Sequence, residues 1–206
     1  MQGEDVICIT CLYQIPLTRF WNDTDNPVAK IFWGRANIEN ACAYFFFAKG
    51  SKYRPLLHKL KYQGQKEIGV ELGRQFGQVL SKSHLYKDVD YVVPVPLHPK
   101  KLRTRGYNQA EAIAQGICQG MGVELSISHL IRTEFTETQT RKTRAERVKN
   151  VEEAFEIANS QEIEGKHLLL IDDVVTTGAT LEACAIKLLE VKGCRVSIAA
   201  LAYASS

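Results

Sequence analysis

From Tyr53 onward, apolar residues fall into blocks whose spacing switches between helix and strand. Ile68, Leu72, Phe76, Val79 and Leu80 recur at helical spacing and predict an amphipathic helix. DYVVPVP (90–96) is a short β-branched run closed by Pro94 and Pro96, so a strand ends there and a loop begins. The loop LHPKKLRTRGY (97–107) leads to Asn108, a suitable N-cap. The helix after it places Ala110, Ile113, Ala114, Ile117 and Met121 on one face, and Gly120 and Gly122 are expected to end it. KHLLLI (166–171) is apolar without alternation, as in a parallel-sheet strand covered on both faces. Leu181, Cys184, Ala185, Leu188 and Leu189 form the next helical face, with Gly193 where a C-cap glycine belongs. VSIAALA (196–202) is a second buried strand. Strand, helix and strand with short connections make a right-handed βαβ unit. The fold class is α/β, with a central, mainly parallel sheet flanked by helices.

Two stretches depart from this rhythm. Residues 1–48 hold CITC (8–11), a loop-rich part with Asn22, Asp23, Asp25, Asn26 and Pro27, and the aromatics Tyr44 to Phe47. They are expected to form a small subdomain packed by its aromatics on a main domain of residues 49–206. Residues 130–150 are polar, threonine-rich and basic. A polar excursion of this length inside a compact domain is usually functional or mobile.

Candidate chemistry concentrates where the KHLLLI strand runs into Asp172, Asp173, Val174, Val175, Thr176, Thr177, Gly178, Ala179 and Thr180. Ligands of open α/β sheets bind at the carboxyl ends of strands. A loop of small residues turns backbone amides toward one anion, and the following helix adds its positive dipole end. Gly178 lets the backbone approach a phosphate without a Cβ in the way. Two carboxylates beside a phosphate would repel it unless they address something else, and ribose hydroxyls are the natural partners. An isolated Asp-Asp pair more often caps a strand end. The buried strand before it and the amphipathic helix after it favour a site here.

The segment IDDVVTTGAT (171–180) resembles the motif of type I phosphoribosyltransferases that binds 5-phosphoribosyl-1-pyrophosphate (PRPP). VPVPLHPKKLRTRGYNQAEAIA (93–114) is similar to the signature region of the ComF family, the competence-protein phosphoribosyltransferases called ComFC. So are LKYQG (60–64), Gln139 with its basic followers, and RVKNVEEAF (147–155). The resemblance covers nearly the whole chain and implies the type I phosphoribosyltransferase fold with a flexible hood. It implies that Asp172 and Asp173 contact the ribose, as the catalytic pair. Thr176, Thr177, Gly178, Ala179 and Thr180 would hold the 5′-phosphate. It further implies a pyrophosphate loop at LHPKKLRTRG, with Lys100, Lys101, Arg103 and Arg105 as candidate contacts and Arg105 foremost. A solvated basic loop is the competing account. The excursion Leu130 to Lys149 would be the hood, closing over the site to exclude water. Arg132, Arg141, Arg144 and Arg147 are then candidates to reach phosphates. The layout from VPVP to IDD is also that of glutamine amidophosphoribosyltransferase, but the chain carries no glutaminase domain.

The implied reaction displaces pyrophosphate from C1 of ribose by a nucleophile, expected to be nitrogen, with Mg²⁺ bridging pyrophosphate and ribose oxygens. Cys8 and Cys11 form a C-x-x-C pair, half of a tetrahedral Zn²⁺ site. ComF-like proteins commonly begin with two such pairs, and this chain begins just before the second. Cys42 is either a third ligand or a core residue. A redox role for the pair is disfavoured because no helical pattern follows Cys8.

Composition changes this picture little. The formal net charge of +3 does not by itself imply nucleic-acid binding. The charges are clustered, however. Lys100 to Arg105 holds four basic residues and no acid, and Arg141, Lys142, Arg144, Arg147 and Lys149 stand against Glu146 alone. A second function class therefore stays open, a DNA-associated competence protein that uses the fold as a binding or regulatory module. A third is a PRPP sensor without turnover. Expected partners are PRPP and a small-molecule acceptor, or single-stranded DNA and competence proteins, and a homodimer is left open. No apolar run is long enough to insert in a membrane, and acidic residues stand where a signal peptide would be basic. The expected location is the cytoplasm, where six cysteines have little tendency to form disulfides.

Overall fold

A computed structural model describes residues 6–48, 50–51, 53–133 and 154–204. Its centre is a five-stranded parallel sheet. The strands are β1 (Ala41–Phe46), β2 (Tyr91–Pro94), β3 (Glu124–Leu125), β6 (His167–Val175) and β7 (Arg195–Tyr203), in spatial order β1-β7-β6-β2-β3. β4 (Leu130–Arg132) and β5 (Phe155–Ile157) form a separate antiparallel pair. The long helices are α3 (Arg54–Tyr62), α4 (Lys66–Leu80), α6 (Gln109–Met121) and α7 (Ala179–Leu189). Shorter ones are α1 (Ile9–Tyr13), α2 (Pro27–Lys30) and α5 (Pro99–Arg105).

The sheet is buried on both faces, as the unbroken apolar run of β6 predicts. Leu169 and Ile171 pack with Leu60, Leu72, Phe76, Ile113 and Ile117 of α3, α4 and α6. Leu168 and Leu170 pack on the other face with Leu181, Cys184 and Leu188 of α7 and with Val28 and Phe32. The side-chain period of two along a strand divides one sequence between two cores.

The predicted helices are present with altered ends. Asn108 caps α6, its side chain accepting from the Ala110 amide. Gly122, at φ 75°, ends it, whereas Gly120 lies inside. A Cβ on Gly120 would sit 2.4 Å from the Arg74 carbonyl oxygen, and one on Gly116 2.0 Å from that of Val70. Both glycines serve the close approach of α4, a tertiary demand that mimics a helix-end signal. Gly193 is not the cap of α7, which ends with Glu190 in right-handed conformation, and it turns the chain into β7 instead.

Four expectations need correction. The loop 97–107 contains the helix α5. His98 caps it by accepting from the Lys100 amide, Pro99 fits its first turn, and Gly106 at φ 79° stops it. β6 runs four residues beyond KHLLLI, because Asp172, Val174 and Val175 pair with Ala200, Ala202 and Tyr203. The segment 1–48 does not stand apart from the sheet. Its aromatic end is β1, paired with β7, and Tyr44 stacks on Phe76 at 5.0 Å. Finally, the polar excursion starts later than Leu130, which is buried in β4. Among the described residues no helix is long and apolar enough to cross a membrane.

Candidate functional site

β6 ends at Val175, whose carbonyl accepts from the Ala204 amide. The chain turns through Thr176 and Thr177 and enters α7 at Ala179, with Gly178 at φ 75° as its N-cap. Among the described residues, no amide from Thr176 to Thr180 donates a hydrogen bond within the chain. Helix N-termini leave such donors for water, caps or anions. Here they border a cavity of about 70 Å³ lined by Asp172 and by residues 174–181. Whole small-molecule sites occupy about 300–1,000 Å³. This cavity fits one group the size of a phosphate.

The loop is braced from a distant part of the sequence. Arg35 donates to the carbonyls of Ile31 (2.9 Å) and Thr177 (3.0 Å) and forms an ion pair with Glu182 in the first turn of α7. Gly178 packs on the same segment, and an added Cβ would lie 2.6 Å from Ile31 Cγ2 and 3.0 Å from the Phe32 ring. Its positive φ alone would strain any other residue. Glycine is therefore required here twice over.

Asp172 and Asp173 sit inside β6, so their side chains leave on opposite faces. Asp172 turns back to accept from the Asp173 amide at 2.8 Å. Burial, and then the charge of Asp173, push its carboxyl up to about 7, while Lys61 and Lys101 oppose the rise. Asp173 is nearly buried and pairs with Lys61 Nζ of α3 at 3.0 Å. The Tyr107 hydroxyl donates to the Leu60 carbonyl and ties the start of α6 to α3. Burial and the nearby charges of Glu67 and Asp173 raise the Tyr107 hydroxyl, against the opposing pull of Gln109 and Arg105.

The four basic candidates of α5 are not gathered at one point. Lys100, Lys101 and Arg103 are exposed, and Lys101 is the one whose charge reaches Asp172. Arg105, the foremost candidate, donates to Gln109 Oε1 at 2.6 Å and lies over the Tyr62 ring at 5.4 Å. Of the hood candidates, Arg132 belongs to β4, with its guanidinium over the Phe155 ring at 5.2 Å. Burial lowers the pKa of Arg132, and the Cys184 thiol of α7 feels the charges of both Arg132 and Asp172. Arg141, Arg144 and Arg147 lie outside the described residues.

Cys8 and Cys11 are exposed, and Cys8 does precede a helix after all. It caps α1, its sulfur accepting from the Cys11 amide at 3.3 Å. Cys42 is a core residue of β1, its thiol pushed up to about 12 by burial, which does not suit a metal-bound thiolate. Among the described residues no three His, Cys, Asp or Glu side chains cluster as a metal site. Cys42, buried in β1, does not join Cys8 and Cys11 in such a cluster.

Sequence reasoning missed Lys61 as a site residue, although it lies in the LKYQG stretch. It also missed Arg35, which no local pattern marks and which reaches a carbonyl 142 residues away.

The model of the phosphoribosyl transferase domain family matches residues 103–206. The chain is 31% identical over 140 residues to the DNA utilization protein YhgH of Escherichia coli strain K12, covering 66% of this chain and 60% of that one. It is 36% identical over 143 residues to Competence protein ComFC of Bacillus subtilis strain 168, covering 69% and 55%. With Competence protein F of Haemophilus influenzae it shares 31% over 130 residues, covering 61% and 57%. It thus spans about three fifths of the length of the curated relatives it matches.

Proposed function

Because the chain belongs to the phosphoribosyl transferase domain family, and within it to the ComF group, we propose that it binds PRPP and transfers its phosphoribosyl group, releasing pyrophosphate. One observation carries this reading. Five adjacent amides without partners among the described residues border a phosphate-sized cavity, and a carboxylate pair stands beside them on the same strand. In this reading the amides of Thr176 to Thr180 hold the 5′-phosphate, helped by the dipole of α7. Asp172 and Asp173 accept from ribose hydroxyls and favour positive charge developing at the sugar ring. A nitrogen lone pair forms the new bond to C1 as the C1–O bond breaks. The bonding electrons leave on pyrophosphate, and the nitrogen loses its proton to water.

Among the described residues, the cationic side of the site is supplied by Lys101 and Lys61, whose charges reach the pair. Mg²⁺ takes few protein ligands where substrate phosphates supply oxygens. The described residues fit that mode, because they offer no cage and one of the two carboxylates is already paired with Lys61. When bound, the ion would neutralise charge on the leaving pyrophosphate.

Titration calorimetry with PRPP and Mg²⁺ tests this function. Wild type is expected to bind, and the double variant Asp172→Ala, Asp173→Ala is expected to lose at least tenfold in affinity. Equal binding by both would remove the doublet from the site.

A second reading is favoured by one tertiary feature. α3 carries Arg54, Lys59 and Lys61, α5 carries Lys100, Lys101, Arg103 and Arg105, and neither carries an acid. Tyr62, the last residue of α3, is well exposed and lies beneath the Arg105 guanidinium. Basic and aromatic side chains alternate in this way where single strands bind. The surface could hold single-stranded DNA beside the PRPP site.

A further inference from the structure

Asp172 and Asp173 leave the strand on opposite faces, and their surroundings differ. Asp173 has Lys61 Nζ at 3.0 Å, and both side chains are largely withdrawn from water. Asp172 has no ion pair among the described residues and accepts only from the amide of its neighbour. The charged and titratable groups around them can be named element by element. α3 contributes Lys61 and α5 contributes Lys101. The turn before α6 contributes Tyr107, and α7 contributes Cys184, which in turn feels Arg132 of β4. Of the cations among the described residues, only Lys61 makes direct contact with the pair.

We propose that Lys61 is a positioning residue of this site, which by pairing with Asp173 makes the two carboxylates unlike and sets the pH at which they accept a sugar. The inference rests on the reading that the doublet faces ribose. Its physical basis is that two neighbouring carboxylates, Asp173 buried and Asp172 half-buried, disfavour each other's ionisation, so that a cation beside one of them decides where the pair carries its proton. With Lys61 in place, the charge of Asp173 is balanced. Asp172 is left as the half that gains or loses a proton near neutral pH, consistent with its raised carboxyl. A protonated Asp172 can donate to a sugar oxygen, and an ionised one can only accept. The pair then offers unlike partners to two neighbouring hydroxyls. LKYQG thereby acquires a role in the strand chemistry more than a hundred residues further along.

The test compares wild type with Lys61→Met and Lys61→Arg in two measurements. In the first, PRPP affinity with Mg²⁺ is followed from pH 5.5 to 9. The wild-type profile is expected to inflect near neutrality. Lys61→Met removes a charge that holds Asp172 down, so its inflection should move up by about one unit, a typical effect for one neighbouring charge. Lys61→Arg should return it toward the wild-type position. The titration of PRPP itself is common to all three proteins and cancels in the comparison. In the second, the Asp172 carboxyl is titrated by carbon-detected NMR without ligand, and the same displacement is expected. If Lys61→Met leaves both curves where they were, the proposal is overturned. If wild type binds no PRPP, the transferase reading falls, and the ligand-free titration still decides what Lys61 does to the pair.

Discussion

Asp172 shows how the surroundings of a single ionisable residue act on stability. Its carboxyl is raised from the ordinary 3.8 to about 7, by burial first and then by the charge of Asp173. The folded protein therefore binds a proton between about pH 4 and 7 that the unfolded chain has lost. For an acid raised in this way, stability is greatest below that window and falls as pH rises through it. Asp172→Asn removes the penalty. The variant is expected to be more stable than wild type by on the order of 1–2 kcal/mol at pH 8, with the difference closing toward pH 4.5. Thermal melts at the two pH values measure this, and a gap independent of pH would contradict it. The glycine at 178 is a similar case, its conformation and its packing on Ile31 both dictated by the loop it serves.

At the scale of elements, the contact between α4 and α6 decides where the site's flanking structures sit. Gly73, Gly77, Gly116 and Gly120 let the two backbones meet, with virtual Cβ distances of 2.0 to 2.4 Å to carbonyl oxygens. α6 begins at Asn108, whose side chain also donates to the Val95 carbonyl at the end of β2. Pushing α6 outward would thus disturb the turn that carries Tyr107 and, next to it, the end of α5 at Arg105. Gly116→Ala gains at most about 1 kcal/mol in helix propensity. A Cβ 2.0 Å from the Val70 oxygen cannot be accommodated without separating the helices, and overpacking of that kind costs about 1–3 kcal/mol or more. The clash should win, lowering Tm by several degrees at about 2–4 °C per kcal/mol. A variant at least as stable as wild type would show that the helices part easily. The amphipathic patterns of both helices were legible in sequence. Their separation was not, because a glycine between apolar positions reads the same whether it ends a helix or admits a neighbour.

For the whole molecule, the distribution of charge matters more than its small net value. Folding lays Arg105 of α5 over Tyr62 of α3, although the basic residues of the two helices are some forty positions apart in sequence. That contact gives the basic residues of α5 an aromatic neighbour, which the sequence of α5 alone does not show. If this surface holds a single strand, binding should weaken with salt, with a slope near −0.7 per phosphate engaged. Replacing Lys100, Lys101 and Arg103 by Gln is expected to flatten the slope by about 2. DNA binding that is absent, or whose slope ignores these residues, would remove the second reading. The parallel sheet, the βαβ unit and the small-residue turn between β6 and α7 could be read in advance because each depends on local periodicity and on a contiguous motif. The strand order, the entry of β1 into the sheet and the contacts of Arg35 could not. They join segments that share no sequence signal.

The sequence by itself determined that a buried strand would deliver two carboxylates and a small-residue turn to the foot of a helix, because strand, turn and helix are adjacent in the chain and each follows from its own side chains. Only the tertiary structure decided that Lys61 would face Asp173, that Arg35 would brace the turn, and that Arg105 would lie over Tyr62. Those contacts arise when two helix layers close on a twisted sheet. Which charges then meet is fixed by packing distances that no stretch of the chain encodes alone.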